Sequence, residues 1–349
     1  ADRYGPNRFL IIGTLVTALG CLLYSLAPNE YVLIFSRFLV GTGDAAIFVN
    51  LVLILSQWFK AKEFVSLLGV VAMVGSLGSL SATVPFSLWI SFAGWRLPFL
   101  SIGIILVVSS FLLFTVLISR PKRIFKNNSK ARKSPIKDRE SVCIILRRMF
   151  STRQAWATFL CHFGVVGTYV GFIGSWGVPY GIDVFGLSRS EASQLIMYGL
   201  FGAIIGGPLI SWITSRLDSI KKIYTLIHLI VLFSWSGLFL AGVKPPFIMI
   251  VVLLFIIGFG NGASPLTFAV VRESFPMEQV GVVSGFANMG GFLSAVLLPG
   301  VFGNVLDLYP QHSINVGYHY GFIIRVLFSL MGLFGVMLIK EGKKEEQTS

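Results

Sequence analysis

Between Glu30 and Lys60 the chain holds only two charges, Arg37 and Asp44, in the stretch Arg37-Phe-Leu-Val-Gly41-Thr-Gly43-Asp44-Ala45-Ala46. Their neighbours are mostly apolar, and a charge at membrane depth is costly unless it faces a bundle interior or a wet cavity. Arg37, Gly41 and Asp44 recur at i, i+4 and i+7, so they share one face of a helix. A guanidinium there can attract and orient an anion. A carboxylate there can take up and release a proton. The helical rise sets the two Cα atoms about 10 Å apart, so contact needs the arginine stretched toward the aspartate. Two readings stay open on these residues: a structural ion pair, or a pair on a permeation pathway.

An internal repeat extends the set. Shifted by 217, Gly41-Thr-Gly43-Asp44-Ala45-Ala46 overlies Gly258-Phe-Gly260-Asn261-Gly262-Ala263; shifted by 216, Phe59, Gly69, Met73 and Gly75 overlie Phe275, Gly285, Met289 and Gly291. Near-constant offsets across two helices are what duplicated halves predict. Each helical glycine costs about 1 kcal/mol against alanine, and close helix contact is the compensating reason to keep it. Asn261, as the repeat partner of Asp44, is a cavity candidate, or else an interhelical hydrogen-bonding group; Asn50 and Asn288 share that ambiguity. His162 lies two turns into its run and is either a titrating group or a hydrogen-bonded packing residue. His228 is a weaker candidate of the same kind. Arg325, two turns from the end of the last run, is placed to snorkel to the interface. Trp176, Pro179 and Tyr180 resemble an interfacial aromatic belt more than a binding platform.

Other chemistry is absent from the sequence. Four histidines and three cysteines are scattered without metal-ligand spacing, and no nucleophile–base constellation stands out. No Gly-x-x-x-x-Gly-Lys-Ser/Thr loop offers a nucleotide phosphate site. No enzyme, metal or cofactor is expected. Cys21 and Cys161 fall in apolar runs and Cys143 in a basic segment, which is no disulfide framework.

The elements that must position these groups follow from composition. The chain is 55% hydrophobic and 12% charged, against about 25% charged in soluble proteins, and its mean hydropathy is +0.81. Ten apolar runs can be marked: 9–26, 31–59, 65–92, 97–118, 155–179, 193–215, 223–243, 247–271, 280–306 and 318–339. Each is long enough for a bilayer-spanning helix. The fold class is therefore an all-α polytopic membrane protein. With the chain start placed inside, all but five of the 28 basic residues fall on that side; Arg96, Arg189 and Lys244 fall outside, and Arg37 and Arg325 within spans. That bias predicts cytoplasmic ends and a cytoplasmic 120–153 segment. The net charge of +13 is mostly this linker, so it calls for no nucleic-acid partner. Val142, Ile145, Leu146, Met149 and Phe150 lie at helical spacing beside Arg147 and Arg148. That pattern suits a short helix on an anionic leaflet or a plain solvated linker.

Ala1-Asp2-Arg3-Tyr4-Gly5-Pro6-Asn7-Arg8, followed at once by a span, resembles the Asp-Arg-x-Gly-x-x-Arg loop of the major facilitator superfamily. Arg37-x-x-x-Gly41-x-Gly43 resembles that family's fourth-helix signature, and Gly94-Trp95-Arg96-x-Pro98-Phe99 its outer turn between helices five and six. The layout of four spans, basic linker and six spans is similar to the family's over the whole chain. The resemblance implies two pseudo-symmetric halves with ten of twelve helices present, the first two being absent from this sequence. It divides the chain into 1–119 (helices three to six), a linker at 120–154, 155–340 (helices seven to twelve) and a tail at 341–349. It implies that Asp2, Arg3, Gly5 and Arg8 form a cytoplasmic gating loop. Its second copy, Ser215-Arg216-Leu217-Asp218, has departed from the pattern and reads better as basic anchoring. Helices four, seven and ten are implied to line the cavity, which draws in Arg37, Asp44, His162 and Asn261, with Asn288 added as a polar span residue. The implied function is secondary transport across the plasma membrane by alternating access. The reading drawn from it is proton symport of a small organic anion or metabolite, by a monomer whose partners are that solute, protons and the bilayer. The alternatives are an efflux antiporter and a non-translocating receptor on the same fold. Pro85 lacks the preceding glycine of the family's fifth-helix antiporter motif, which weighs against drug–proton antiport.

Overall fold

Hydrocarbon offers no partner to a backbone N–H or C=O, so an apolar run of spanning length must close its hydrogen bonds on itself. The computed structural model describes residues 5–118, 142–217 and 219–340, and among them the regular elements are all helical. Ten helices are long and apolar enough to cross a membrane, one at each of the ten runs. Asp2, Arg3, Asp218, the tail and most of the basic linker lie outside the described residues.

The first body contains α1 (Pro6–Leu26), α2 (Glu30–Trp58), α4 (Val84–Ala93) and α5 (Arg96–Ile118). Asn29 caps α2, its side chain accepting from the Val32 N–H at 3.1 Å. Helices α1 and α2 meet through glycine: a Cβ on Gly20 would lie 2.7 Å from Val40, and one on Gly43 would strike Thr17 and the Gly13 carbonyl. The Gly94-Trp95-Arg96 turn needs the left-handed φ of +71° at Gly94. It fastens α5 to α1, since Ser25 Oγ donates to the Arg96 carbonyl at 2.8 Å and Arg96 Nη2 donates to the Ala27 carbonyl at 3.4 Å.

The second body contains α3 (Ala61–Ser81), α7 (Arg153–His162), α8 (Thr168–Gly171), α9 (Gly177–Phe185), α10 (Arg189–Leu217), α11 (Ile220–Leu240), α12 (Phe247–Asn261), α13 (Ser264–Ser274), α15 (Ile314–Leu338) and α14 (Val280–Leu306) from residue 283 on. The apolar run 65–92 is thus broken at residues 82–83, ahead of Pro85 at the start of α4, and its two parts belong to different bodies. Helix α3 joins the second body on α10, where a Cβ on Gly69 would meet Ser211 Oγ at 2.5 Å and the Gly207 carbonyl at 2.6 Å. The other side of α10 presses Gly199, Gly202 and Gly206 against the α12 backbone. Ser188 and Glu191 form a reciprocal cap at its start: Ser188 N–H donates to Glu191 Oε2 at 2.8 Å, and Glu191 N–H to Ser188 Oγ at 3.3 Å.

The span Arg153–Phe185 is one long helix with two wide turns, Phe163–Gly167 and Phe172–Trp176, wound as π-helix. Such turns displace the i→i−4 ladder and leave carbonyls for outside donors. The basic segment ends in α6 (Val142–Ser151), as its spacing predicts, with Ile144 exposed and Met149 buried.

Candidate functional site

In the first body, Arg37 and Asp44 do not form an ion pair with each other. The guanidinium carbon lies over the Tyr24 ring, 4.2 Å from its centroid, and 5.2 Å from that of Phe99. Both rings come from the helices on either side of the Gly94 turn's anchor, and the contact is a cation–π one. Asp44 Oδ1 instead accepts from Thr17 Oγ1 at 3.1 Å, the hydroxyl that also reaches the Gly13 carbonyl. Helix geometry explains the separation: seven residues is about 10 Å of rise, and the nearer partner of each group is on α1. Both side chains are exposed. Gly5 adopts a φ of +87° and Arg8 is exposed; these are the two described members of the gating-loop motif.

The repeat can be followed into contacts. Gly43 and its partner Gly260 do the same work, each lying where a Cβ would strike the preceding long helix, at Thr17 on α1 or Val231 on α11. Gly258 is packed on Gly199, whereas at its partner Gly41 a Cβ would meet nothing within 4 Å. Asn261 is half-buried, and its Oδ1 has no hydrogen-bond partner in the structure.

His162 is 4% exposed, and Nδ1 lies 3.1 Å from Thr267 Oγ1. The same hydroxyl is 2.7 Å from Tyr224 Oη, and the half-buried Asn288 of α14 lies near enough to interact with the imidazole. The Tyr224 ring packs on His228, 4.7 Å between centroids, and His228 is also buried. The structure therefore brings His162 and Asn288 together, and adds Thr267 and Tyr224. Their only sequence signal was a hydroxyl in an apolar run.

Two expectations are corrected here. Arg325 does not snorkel: it is 0% exposed. Its guanidinium sits among the rings of Phe172, Trp235 and Phe302 at 4.5, 5.1 and 4.7 Å, and Nη1 donates to the Thr168 carbonyl at 3.2 Å. That carbonyl belongs to the short α8 between the two wide turns, where the displaced ladder frees an acceptor. Nor do Tyr180 and Trp176 form a belt. Tyr180 is 1% exposed against Phe172, Tyr318 and Phe322, and Trp176 Nε1 donates to the Pro299 carbonyl at 3.1 Å.

Ten candidate spans among the described residues, with glycine-mediated helix crossings, define a multi-pass membrane protein. The family comparison makes this specific: the sequence profile of the Major Facilitator Superfamily matches residues 1–299, and the chain belongs to that family. It is a family of transporters, not enzymes. The chain is 27% identical over 335 residues to the probable nitrate/nitrite antiporter NarK1 of Thermus thermophilus, covering 86% of this chain and 71% of that protein. It is 24% identical over 331 residues to a D-galactonate transporter of Escherichia coli O6:H1, covering 88% and 75%. The hexuronate transporter of Bacillus subtilis is 24% identical over 324 residues, covering 88% and 74%. Among solved structures, the E. coli fucose:proton symporter FucP superposes with a TM-score of 0.76 at 18% identity, over 98% of this chain and 85% of that one.

Proposed function

We propose that the chain is a secondary transporter of the plasma membrane that carries a small organic anion together with protons by alternating access. Under this reading the two sequence halves, joined by the 120–154 linker, share the work, both chain ends are cytoplasmic, and the protein acts as a monomer. The observation that carries the anion is Arg37: its guanidinium lies over Tyr24 and near Phe99 and has no carboxylate partner, so its fork is free to take a bidentate anion. Galactonate and hexuronate, named for two relatives, are carboxylates at neutral pH, which supports the same class. Asp44, on the same helix and held by a neutral hydroxyl, is the proton carrier in this reading. Asn261 and Asn288 supply neutral hydrogen bonds, and Asp2, Arg3, Gly5 and Arg8 gate the cytoplasmic side.

The test is uptake of D-galactonate, D-glucarate, gentisate and nitrate into proteoliposomes under an imposed pH gradient. Asp44→Asn keeps a partner for Thr17 and should abolish accumulation while leaving downhill exchange. Arg37→Lys keeps the charge but loses the fork, and should raise KM for the carboxylate about tenfold with kcat less affected. Normal uphill accumulation by Asp44→Asn sinks the coupling role. The relative named as an antiporter favours a second reading, obligatory anion exchange. In that case nitrite or unlabelled anion on the far side, and not a pH gradient, would drive uptake.

A further inference from the structure

The second body holds a buried hydrogen-bonded chain whose members lie at graded depths. His162 is nine residues into its helix from Arg153, Thr267 seven residues from Ser274 and Tyr224 four residues from Ile220. At 1.5 Å per residue these are about 13, 10 and 6 Å from the basic end of the body. The contacts follow that order: His162 Nδ1 to Thr267 Oγ1 at 3.1 Å, then Thr267 Oγ1 to Tyr224 Oη at 2.7 Å. One turn beyond the last pair is a cavity of about 480 Å³ lined by Ile220, Val270, Glu273, Ser274, Gln154 and Lys340. Ile220 is i−4 from Tyr224 and Val270 is i+3 from Thr267, so the cavity opens on the same faces that carry the hydroxyls. At the other end His162 meets the half-buried Asn288, and Gly291 keeps room for the ring: a Cβ there would lie 2.7 Å from His162 Cδ2.

We infer that His162, Thr267 and Tyr224 form a proton relay that links the middle of the second body to the cavity at its basic end. The inference rests on the proton-coupled reading above and adds a second proton-bearing group to Asp44. The direction of the chain is reversible, because each hydroxyl donates once and accepts once. With the imidazole neutral and its proton on Nε2, Thr267 donates to Nδ1 and accepts from Tyr224. Tyr224 is itself fully buried and does not line the cavity, so the relay loads when water from the cavity enters the one helical turn between them; a hydronium there gives its proton to Tyr224 Oη, which passes its own proton to Thr267 Oγ1. Thr267 passes its own to Nδ1, and the imidazolium carries the charge. One proton moves, three O–H or N–H bonds form, and the hydroxyls are left neutral. Release runs in reverse or through Nε2. The titratable groups around the ring are Cys161 on its own helix and Tyr224 and His228 on α11. Thr267 and Phe268 face it from α13, and Asn288 and Gly291 from α14; among the described residues no charged side chain is paired with it.

Two variants cut the relay while keeping shape: Thr267→Val removes the central hydroxyl, and Tyr224→Phe removes the terminal one. The substrate-free readout is ¹⁵N NMR of the whole chain in lipid nanodiscs, following exchange of the His162 ring proton with solvent. Both variants should slow that exchange about tenfold or more, and His162→Gln should remove the signal that identifies it. In proteoliposomes both should lose at least about tenfold in pH-driven accumulation of D-galactonate or D-glucarate, with exchange at equal pH within about twofold of wild type. If wild type accumulates none of the four anions, the functional reading fails, and ring-proton exchange still decides the relay. Exchange as fast in both variants as in wild type, or undiminished accumulation by both, overturns it.

Discussion

Gly258→Ala probes a close backbone contact between α12 and α10 in the second body. A Cβ built at Gly258 on α12 falls on the backbone carbonyl of Gly199 on α10, with Gly199 Cα 2.9 Å away. Carbon atoms in comfortable contact stand about 3.5–4.0 Å apart, so the two helices must part by roughly 1 Å. The change spreads, because Gly202 and Gly206 on the same face of α10 rest on the backbone at Phe255 and Phe259. A gap of that size forfeits from about a quarter to a half of each contact's attraction. Alanine gains about 1 kcal/mol of helix propensity, while overpacking costs about 1–3 kcal/mol. Backbone cannot turn aside as a flexible side chain does, so the upper part of that range applies, and the net loss is about 1–2 kcal/mol. Gly237→Ala is the control. Its Cβ would meet Leu253 Cδ1 at 3.4 Å and Met249 Cε at 3.8 Å, ordinary contacts with mobile ends. That variant should gain up to about 1 kcal/mol. Thermal unfolding of both in lipid nanodiscs, followed by tryptophan fluorescence, reads the difference. Gly258→Ala melting at or above Gly237→Ala would refute the reasoning.

Two other outcomes are expected. Arg325→Met should be less destabilising than Arg325→Lys by about 2 kcal/mol, because methionine fills the aromatic cage without a charge, whereas a buried ammonium has one carbonyl in reach and cannot stack on three rings; a lysine variant as stable as wild type contradicts the cage. Cys143 is exposed while Cys21 and Cys161 are buried. An impermeant maleimide should therefore label a single site, and only after the cells are opened; labelling in intact cells reverses the assigned orientation.

Much of the architecture could be read along the chain. Bilayer thickness demands a minimum apolar length and lipid leaves no other way to satisfy a backbone, so the ten runs declare themselves as helices. Part of the repeat's glycine pattern was also visible, since a position where two backbones touch tolerates no Cβ: Gly43, Gly69 and Gly258 meet a neighbouring backbone and Gly260 meets the Val231 side chain, whereas Gly41, Gly75 and Gly285 face open space. Arg37 and Asp44 were conspicuous because charge is rare in an apolar run. What each polar group touches was not legible, because helical periodicity gives a face but not the neighbour across from it. Arg37 lies over Tyr24 and near Phe99, and Asp44 turns to Thr17, by virtue of the α1–α2 crossing. The burial of Arg325 was decided by three rings drawn from the wide turn of the Arg153–Phe185 span, from α11 and from α14. His162, Thr267 and Tyr224 are separated by up to 105 residues and meet only where α7, α13 and α11 pack. Local sequence determines which segments must be helices and which residues are expensive there. Only tertiary packing decides how that expense is offset, because the offsetting partners come from other helices.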